Sequence, residues 1–76
     1  MKSVNIMINT INDVKNFVNI VSRHDFDVDL TSGRYVVDAK SIMGIFSLDL
    51  SKPIRLETNC PDDSNFLDEI KTFIVE

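Results

Sequence analysis

The chain has 76 residues, with eight Lys and Arg against twelve Asp and Glu for a formal charge of −4, one Cys and one His. That length predicts one domain, residues 1–76, with a modest core and no deep cleft for a large substrate, because chains of about this size bury only ~60% of the surface they expose when unfolded. The acids gather in DFDVD (25–29) and PDD (61–63) with no basic run to oppose them, which argues against nucleic acid and anionic membranes as partners.

The elements follow from the spacing of apolar residues. Val4, Ile6 and Ile8 have the period of a strand with one buried face. From Ile11 the period becomes helical: Ile11, Val14, Phe17, Val18 and Val21 share a side, with Lys15, Asn16, Asn19 and Arg23 opposite. TIND (10–13) at the start of this helix can form a capping box, Thr10 accepting from the amide of Asp13 and the Asp13 carboxylate reaching back. Phe26, Val28 and Leu30 alternate again, Thr31-Ser32-Gly33 supplies a turn, and RYVVDA resumes extended structure, so a hairpin is expected. Residues 41–50 predict a short helix that Ser41 can cap. Ile54 and Leu56 mark a strand after Pro53. Phe66, Leu67, Ile70, Phe73 and Ile74 predict a closing helix, with Asp62 to Ser64 available as its cap.

The order β-α-β-β-α-β-α predicts an α+β fold, a four-stranded antiparallel sheet with helices on one face and water on the other. Its core should include Phe17, Val18, Val21, Val28, Leu30, Leu56, Phe66, Ile70 and Ile74. One cysteine, Cys60, leaves no intramolecular disulfide, and one histidine, His24, cannot build a His/Cys metal site, so neither metal nor cofactor is expected. Cys60 reads as a small apolar residue beside Pro61 at a strand end. MKSVNIMINTIND lacks the apolar stretch of a secretory signal, and no run approaches ~18 apolar residues, so a soluble, cytoplasmic chain without membrane contact is expected.

The segment KSIMGIFSL (40–48) carries the chemistry. With SRHDFDVDLTSGRYVVDA before it and DLSKPIRLE after it, it closely resembles the regulatory segment of HPr, the small phosphocarrier of the bacterial sugar phosphotransferase system. The resemblance covers roughly residues 17–57, and the ends by element order alone. It implies an open-faced sandwich, four antiparallel strands with three helices on one side, and a protein that is not an enzyme.

Two sites define that family. One is a histidine, followed two residues later by an arginine, at the start of the first helix in a G-I-H-A-R-P motif; it receives phosphate from enzyme I and passes it to sugar permeases. Aligning this chain on Ser41 without gaps puts Thr10 at the histidine position, Asn12 at the arginine position and Asp13 where the family has proline. The carrier site is therefore expected to be absent: a threonine would form a stable ester where relay needs a group that is phosphorylated and discharged at neutral pH. His24 lies some ~20 Å farther along, at ~1.5 Å per helical residue.

The other site is the serine of K-S-I-M-G, phosphorylated in Gram-positive relatives by an ATP-dependent kinase to make a co-repressor form. It falls on Ser41. The resemblance implies a docking surface at Lys40, Ile42, Met43, Phe46 and Ser47, with an HPr kinase, a transcriptional regulator or other phosphotransferase-system proteins as partners. Helical spacing gives an independent reason: Ile45 and Leu48 share a side with Ser41 while Phe46 lies nearer Ile42, so some of these apolar residues must point outwards. The pattern is similar to the catabolite-repression HPr-like proteins, which lack the histidine and keep the serine. The rival expectations are a degenerate interaction module that is not phosphorylated and a working phosphocarrier.

Overall fold

The computed structural model describes residues 2–75. Its elements are β1 (Lys2–Ile6), α1 (Ile11–Ser22), β2 (Val28–Ser32), β3 (Tyr35–Asp38), α2 (Ile42–Phe46), β4 (Ile54–Thr58), α3 (Phe66–Glu69), a 3-10 turn (Lys71–Phe73) and β5 (Ile74–Val75). The strands form one antiparallel sheet in the order β3-β2-β4-β1-β5. β4 lies between β1 and β2, which run parallel to each other on either side of it, so the β1-α1-β2 crossover leaves a slot that a later strand fills.

Period-2 alternation decides which face is buried. Val28, Leu30, Ile54, Leu56 and Ile6 turn under the helices, while Ser3, Asn5, Asp29, Thr31, Arg55 and Glu57 occupy the other face. Val14, Phe17 and Val21 of α1, Ile45 of α2, and Phe66, Ile70 and Phe73 of the C-terminal segment close the core from above. The Phe17 and Phe73 rings meet edge to face at 5.6 Å. Of the expected core residues, Val18 and Ile74 are half-buried against this cluster and the other seven are buried in it.

The hairpin turns through Gly33, which sits at φ +60 and lets Ser32 pair with Tyr35 across a two-residue loop. Arg34 has no positive φ, so the loop has the dihedral pattern in which glycine takes the first central position. At the other end of the sheet Lys2 bridges to the loop after β4, donating to the Cys60 carbonyl at 2.6 Å and pairing with Asp62 at 2.7 Å. The hydrogen bond between Lys2 and Asp62 raises the Lys2 pKa above its usual value and lowers that of Asp62. Whatever this exposed pair adds to stability is complete between the ordinary values of 3.8 and 10.5. It is lost as pH falls through the lowered Asp62 value or rises through the raised Lys2 value.

Two expectations are corrected. The closing helix does not run from Phe66 to Ile74: it ends at Glu69, passes through the 3-10 turn and becomes β5, a fifth strand where four were expected. Thr72, Ile74 and Val75 are β-branched and gain little from a helix, whereas the outer edge of β1 offers unpaired backbone groups. Ile74 pairs with Ile6 and Val75 with Asn5. The N-cap of α3 is Asn65, without a side-chain bond; Ser64 Oγ accepts from Phe66 at 3.1 Å instead, and Asp62 is engaged by Lys2.

Phe17 is fully buried where helix, sheet and C-terminal segment meet. Phe17→Ala should lower unfolding free energy by ~3–5 kcal/mol, the range for large-to-small core changes. Urea titration followed by far-UV circular dichroism checks it; a loss below ~1 kcal/mol would contradict this account of the core.

Candidate functional site

The two helix N-termini that the sequence singled out are built differently. Thr10, extended at φ −127, caps α1 and accepts the Asp13 amide through Oγ1 at 3.0 Å. The Asp13 carboxylate reaches back through Oδ2 to the amides of Thr10 at 3.2 Å and Asn9 at 3.3 Å. An anion at this position would bind those donors, and the chain's own carboxylate already occupies them. Thr10 and Asn12 are exposed.

His24 follows the opposite end of α1. Its ring stacks on Phe26 at 4.9 Å, meets the edge of Phe66 at 5.2 Å, and its Nε2 pairs with Glu69 Oε1 at 2.6 Å. These contacts make it part of the packing between α1 and α3. Cys60 is buried, and its amide donates to Thr58 Oγ1 at 3.2 Å.

Ser41 caps α2, accepting the Gly44 amide through Oγ at 3.1 Å, and its own amide donates to the Asp38 carbonyl at 2.9 Å. The residue is exposed, and the first turn of α2 carries no acid. Gly44 fits against β3: a Cβ there would lie 3.2 Å from both Ser41 Oγ and Val37 Cβ. Ser47 Oγ closes the helix by donating to the Gly44 carbonyl at 2.6 Å.

The short helix divides its apolar residues as its period requires. Ile45 and Leu48 are buried, Ile42 and Leu50 rest half-buried on the core, and Met43 and Phe46 face out with 78% and 44% of their surface accessible. Of the expected docking residues, Met43, Phe46 and Ser47 are presented together outside, and Ile42 chiefly packs inwards. Lys40 is half-buried and donates from Nζ to the His24 carbonyl at 2.8 Å, near the negative end of α1. A direct role for its ammonium beside Ser41 would require that bond to break. Ile11 belonged by spacing to the buried stripe of α1, yet it is 62% exposed. It is the first helical residue, lying ahead of the turn that meets the sheet, and only its place beside the cap could have signalled this.

The family model described as "PTS HPr component phosphorylation site" matches residues 13–76. The chain belongs to the HPr family. It has the HPr phosphocarrier fold of the phosphotransferase system, with three helices packed on one face of an antiparallel sheet. Among solved structures it is similar to HPr-C-His from Thermoanaerobacter tengcongensis at 26% identity, covering 95% of this chain and 89% of that one with a TM-score of 0.78. It is also similar to a phosphocarrier protein HPr from Bacillus anthracis at 26% identity, covering 97% and 94% with a TM-score of 0.71. A histidine-containing phosphocarrier protein of Mycoplasma shares the fold at 14% identity, covering 93% and 86% with a TM-score of 0.70. The sequence matches no curated protein. No helix among the described residues is long and apolar enough to cross a membrane.

The HPr segments at Thr10 and Ser41 are both held by side-chain caps, and the caps should be measurable. Thr10→Ala and Ser41→Ala should each cost ~1 kcal/mol, while Thr10→Ser should cost less because it keeps the accepting oxygen. Gly44→Ala should also destabilise by crowding Ser41 Oγ and Val37. Chemical denaturation of the four variants checks this; a neutral Thr10→Ala would show that the box contributes nothing.

Proposed function

We propose that this HPr-family chain is a regulatory or adaptor protein that acts through Ser41 and the adjacent apolar surface, and that it does not relay phosphate. The observation that carries the reading is the exposure of Ser41 beside outward-facing Met43 and Phe46, on a helix that buries its other apolar residues. Such a surface is larger and more apolar than a helix cap needs, and it suits recognition by another protein.

The switch is a transfer of the γ-phosphoryl group of ATP to Ser41 Oγ, with ADP leaving and the serine proton released. An HPr kinase is the enzyme supplying that step; the chain itself is its substrate and not an enzyme. The phosphate adds ~−1.5 to −2 charges at the positive end of α2, where the first turn carries no acid and its amides can receive it, although the Asp38 carboxylate holds the Lys40 amide just ahead of the cap. Lys40 can join only by leaving the His24 carbonyl. A transcriptional regulator or another phosphotransferase-system protein then recognises phosphate and apolar patch together, with Met43, Phe46 and Ser47 in its footprint and Ile42 behind them.

The reading that relay is lost rests on three features at the two ends of α1. Thr10 and Asn12 stand where the resemblance puts the carrier histidine and its arginine. Asp13 fills the amides a phosphate would need. His24 lies beyond the far end of α1, clamped between two phenylalanines and Glu69.

Two measurements test this function. With HPr kinase and ATP, intact mass should rise by one acid-stable phosphate on the wild type and stay unchanged on Ser41→Ala. If neither gains phosphate, an unphosphorylated interaction module is what remains; equal gain by both would place the phosphate elsewhere. With enzyme I and phosphoenolpyruvate, no acid-labile phosphate should form. Acid-labile label that forms on the wild type and disappears in His24→Ala would restore the phosphocarrier reading.

A further inference from the structure

The two edges of the sheet differ. On one side β5, two residues long, pairs only with Asn5 and Ile6 of β1; on the other β3, four residues long, ends the sheet with no strand beyond it among the described residues. Tyr35 and Val36 on that edge are 70% and 63% exposed. An uncovered edge of this kind is a template for another strand, and here it carries neither Lys nor Pro within Tyr35–Asp38 to discourage one.

The backbone register tells which groups are free. Ser32 and Tyr35 close a two-residue hairpin, and Ala39 donates to the Val28 carbonyl at 2.9 Å, so residues 35, 37 and 39 direct their backbone groups towards β2. The amide and carbonyl of Val36 and the amide of Asp38 therefore point away from the sheet. The Asp38 carbonyl points the same way and is already used by the Ser41 amide.

We propose that β3 pairs antiparallel with β3 of a second copy of this chain, about a two-fold axis at Val36. That register sets Val36 opposite Val36, Tyr35 opposite Val37, and Arg34 opposite Asp38. The arrangement is self-complementary: two ion pairs form at its ends, and Val36 exchanges both backbone hydrogen bonds with its counterpart. The neighbouring registers that keep the faces aligned, centred on residue 35 or 37, set Arg34 or Asp38 against a valine.

Charge complementarity favours a second copy over an unrelated strand. Asp38 pairs across the hairpin with Asp29, which pairs in turn with Glu57, so three carboxylates stand in one row across the open face. Like charges directly opposed are destabilising. Among the described residues no ion pair uses Arg34, Asp38 or Asp29; Asp38 Oδ1 accepts the Lys40 amide at 2.8 Å, which leaves its Oδ2 for a cation. The partner's Arg34 arrives at the open end of that row. A contact of one short edge is below the ~1,000 Å² expected of a stable interface, so the dimer is weak and concentration-dependent. It uses neither Ser41 nor Met43 and is independent of the regulatory reading.

Sedimentation equilibrium from micromolar to millimolar protein tests the proposal. The wild type should dimerise weakly, and Arg34→Asp and Asp38→Arg should each weaken self-association at least tenfold. An equimolar mixture of these two variants should associate, because each charge then meets its opposite. Val36→Lys, at an exposed position outside the core, should be monomeric, and amide shifts of Val36 and Asp38 in the wild type should move with concentration. A wild type monomeric at millimolar concentration, reversals that leave dimerisation unchanged, or a mixture that does not associate would each overturn it.

Discussion

β4 is the strand on which the rest depends. Leu56 pairs with Val4 on one side and Leu30 on the other, so the two halves of the sheet are joined through it. Without β4, β1 and β2 would be separated by a gap one strand wide, and α1, which connects them, would have no continuous apolar floor. The chain supplies this central strand only after residue 53, so the core closes through contacts far apart in sequence. Thr58 shows how tightly the slot is fitted: it is buried, donates from its hydroxyl to the Asp27 carbonyl at 3.0 Å and accepts from Cys60, so its polar atom is satisfied where β4 ends.

Fixing that sheet also fixes the two helix N-termini, and their chemistry then diverges through one residue. α1 has Asp13 in its first turn and α2 has no acid there. The positive end of α1 is neutralised internally, with threonine hydroxyl and aspartate carboxylate each taking backbone donors. At α2 the Ser41 hydroxyl accepts the first-turn amide, and the Asp38 carboxylate holds only the Lys40 amide ahead of the cap. Of these two helix N-termini, the one without an acid in its first turn is the one beside the exposed Met43 and Phe46.

Much of this was legible in the sequence because period and packing agree. The strand alternation through Val28 and Leu30, the stripe Val14-Phe17-Val21 and the box at Thr10 are local patterns that tertiary structure only had to accept. The misread parts are those where a distant group decides. Ile74 and Val75 pair with an edge of β1 some seventy residues earlier, which no local period announces. Ile11 fits the helical stripe but stands ahead of the sheet. Lys40 is implied by the resemblance as a docking residue, and only the approach of the α1 terminus shows that its ammonium is already hydrogen-bonded. The outward set at residues 42–48 was foreseeable as a group; which members turn out depends on how α2 is rolled against β3, and Gly44 sets that roll.

The distribution of charge on the uncovered parts of the sheet bears on how copies of the chain meet. On the open face, Asp38, Asp29 and Glu57 form an acidic row, and Arg55 approaches Glu57 only at 3.9 Å, so two open faces brought together would place like charges opposite one another without enough cations between them. Face-to-face stacking is therefore disfavoured by the same residues that make the face soluble. At the other edge Ile74 and Val75 pair with Ile6 and Asn5 of β1, and β5 is too short to offer more than a brief row of free backbone groups. The longer edge is that of β3, where an arginine at the hairpin turn and an aspartate at the strand end make the backbone row attractive in one antiparallel register and less so in its neighbours. Repulsion across the face and attraction along one edge together confine association to a geometry that leaves Ser41 and its apolar neighbours, on the helical side, outside the paired strands.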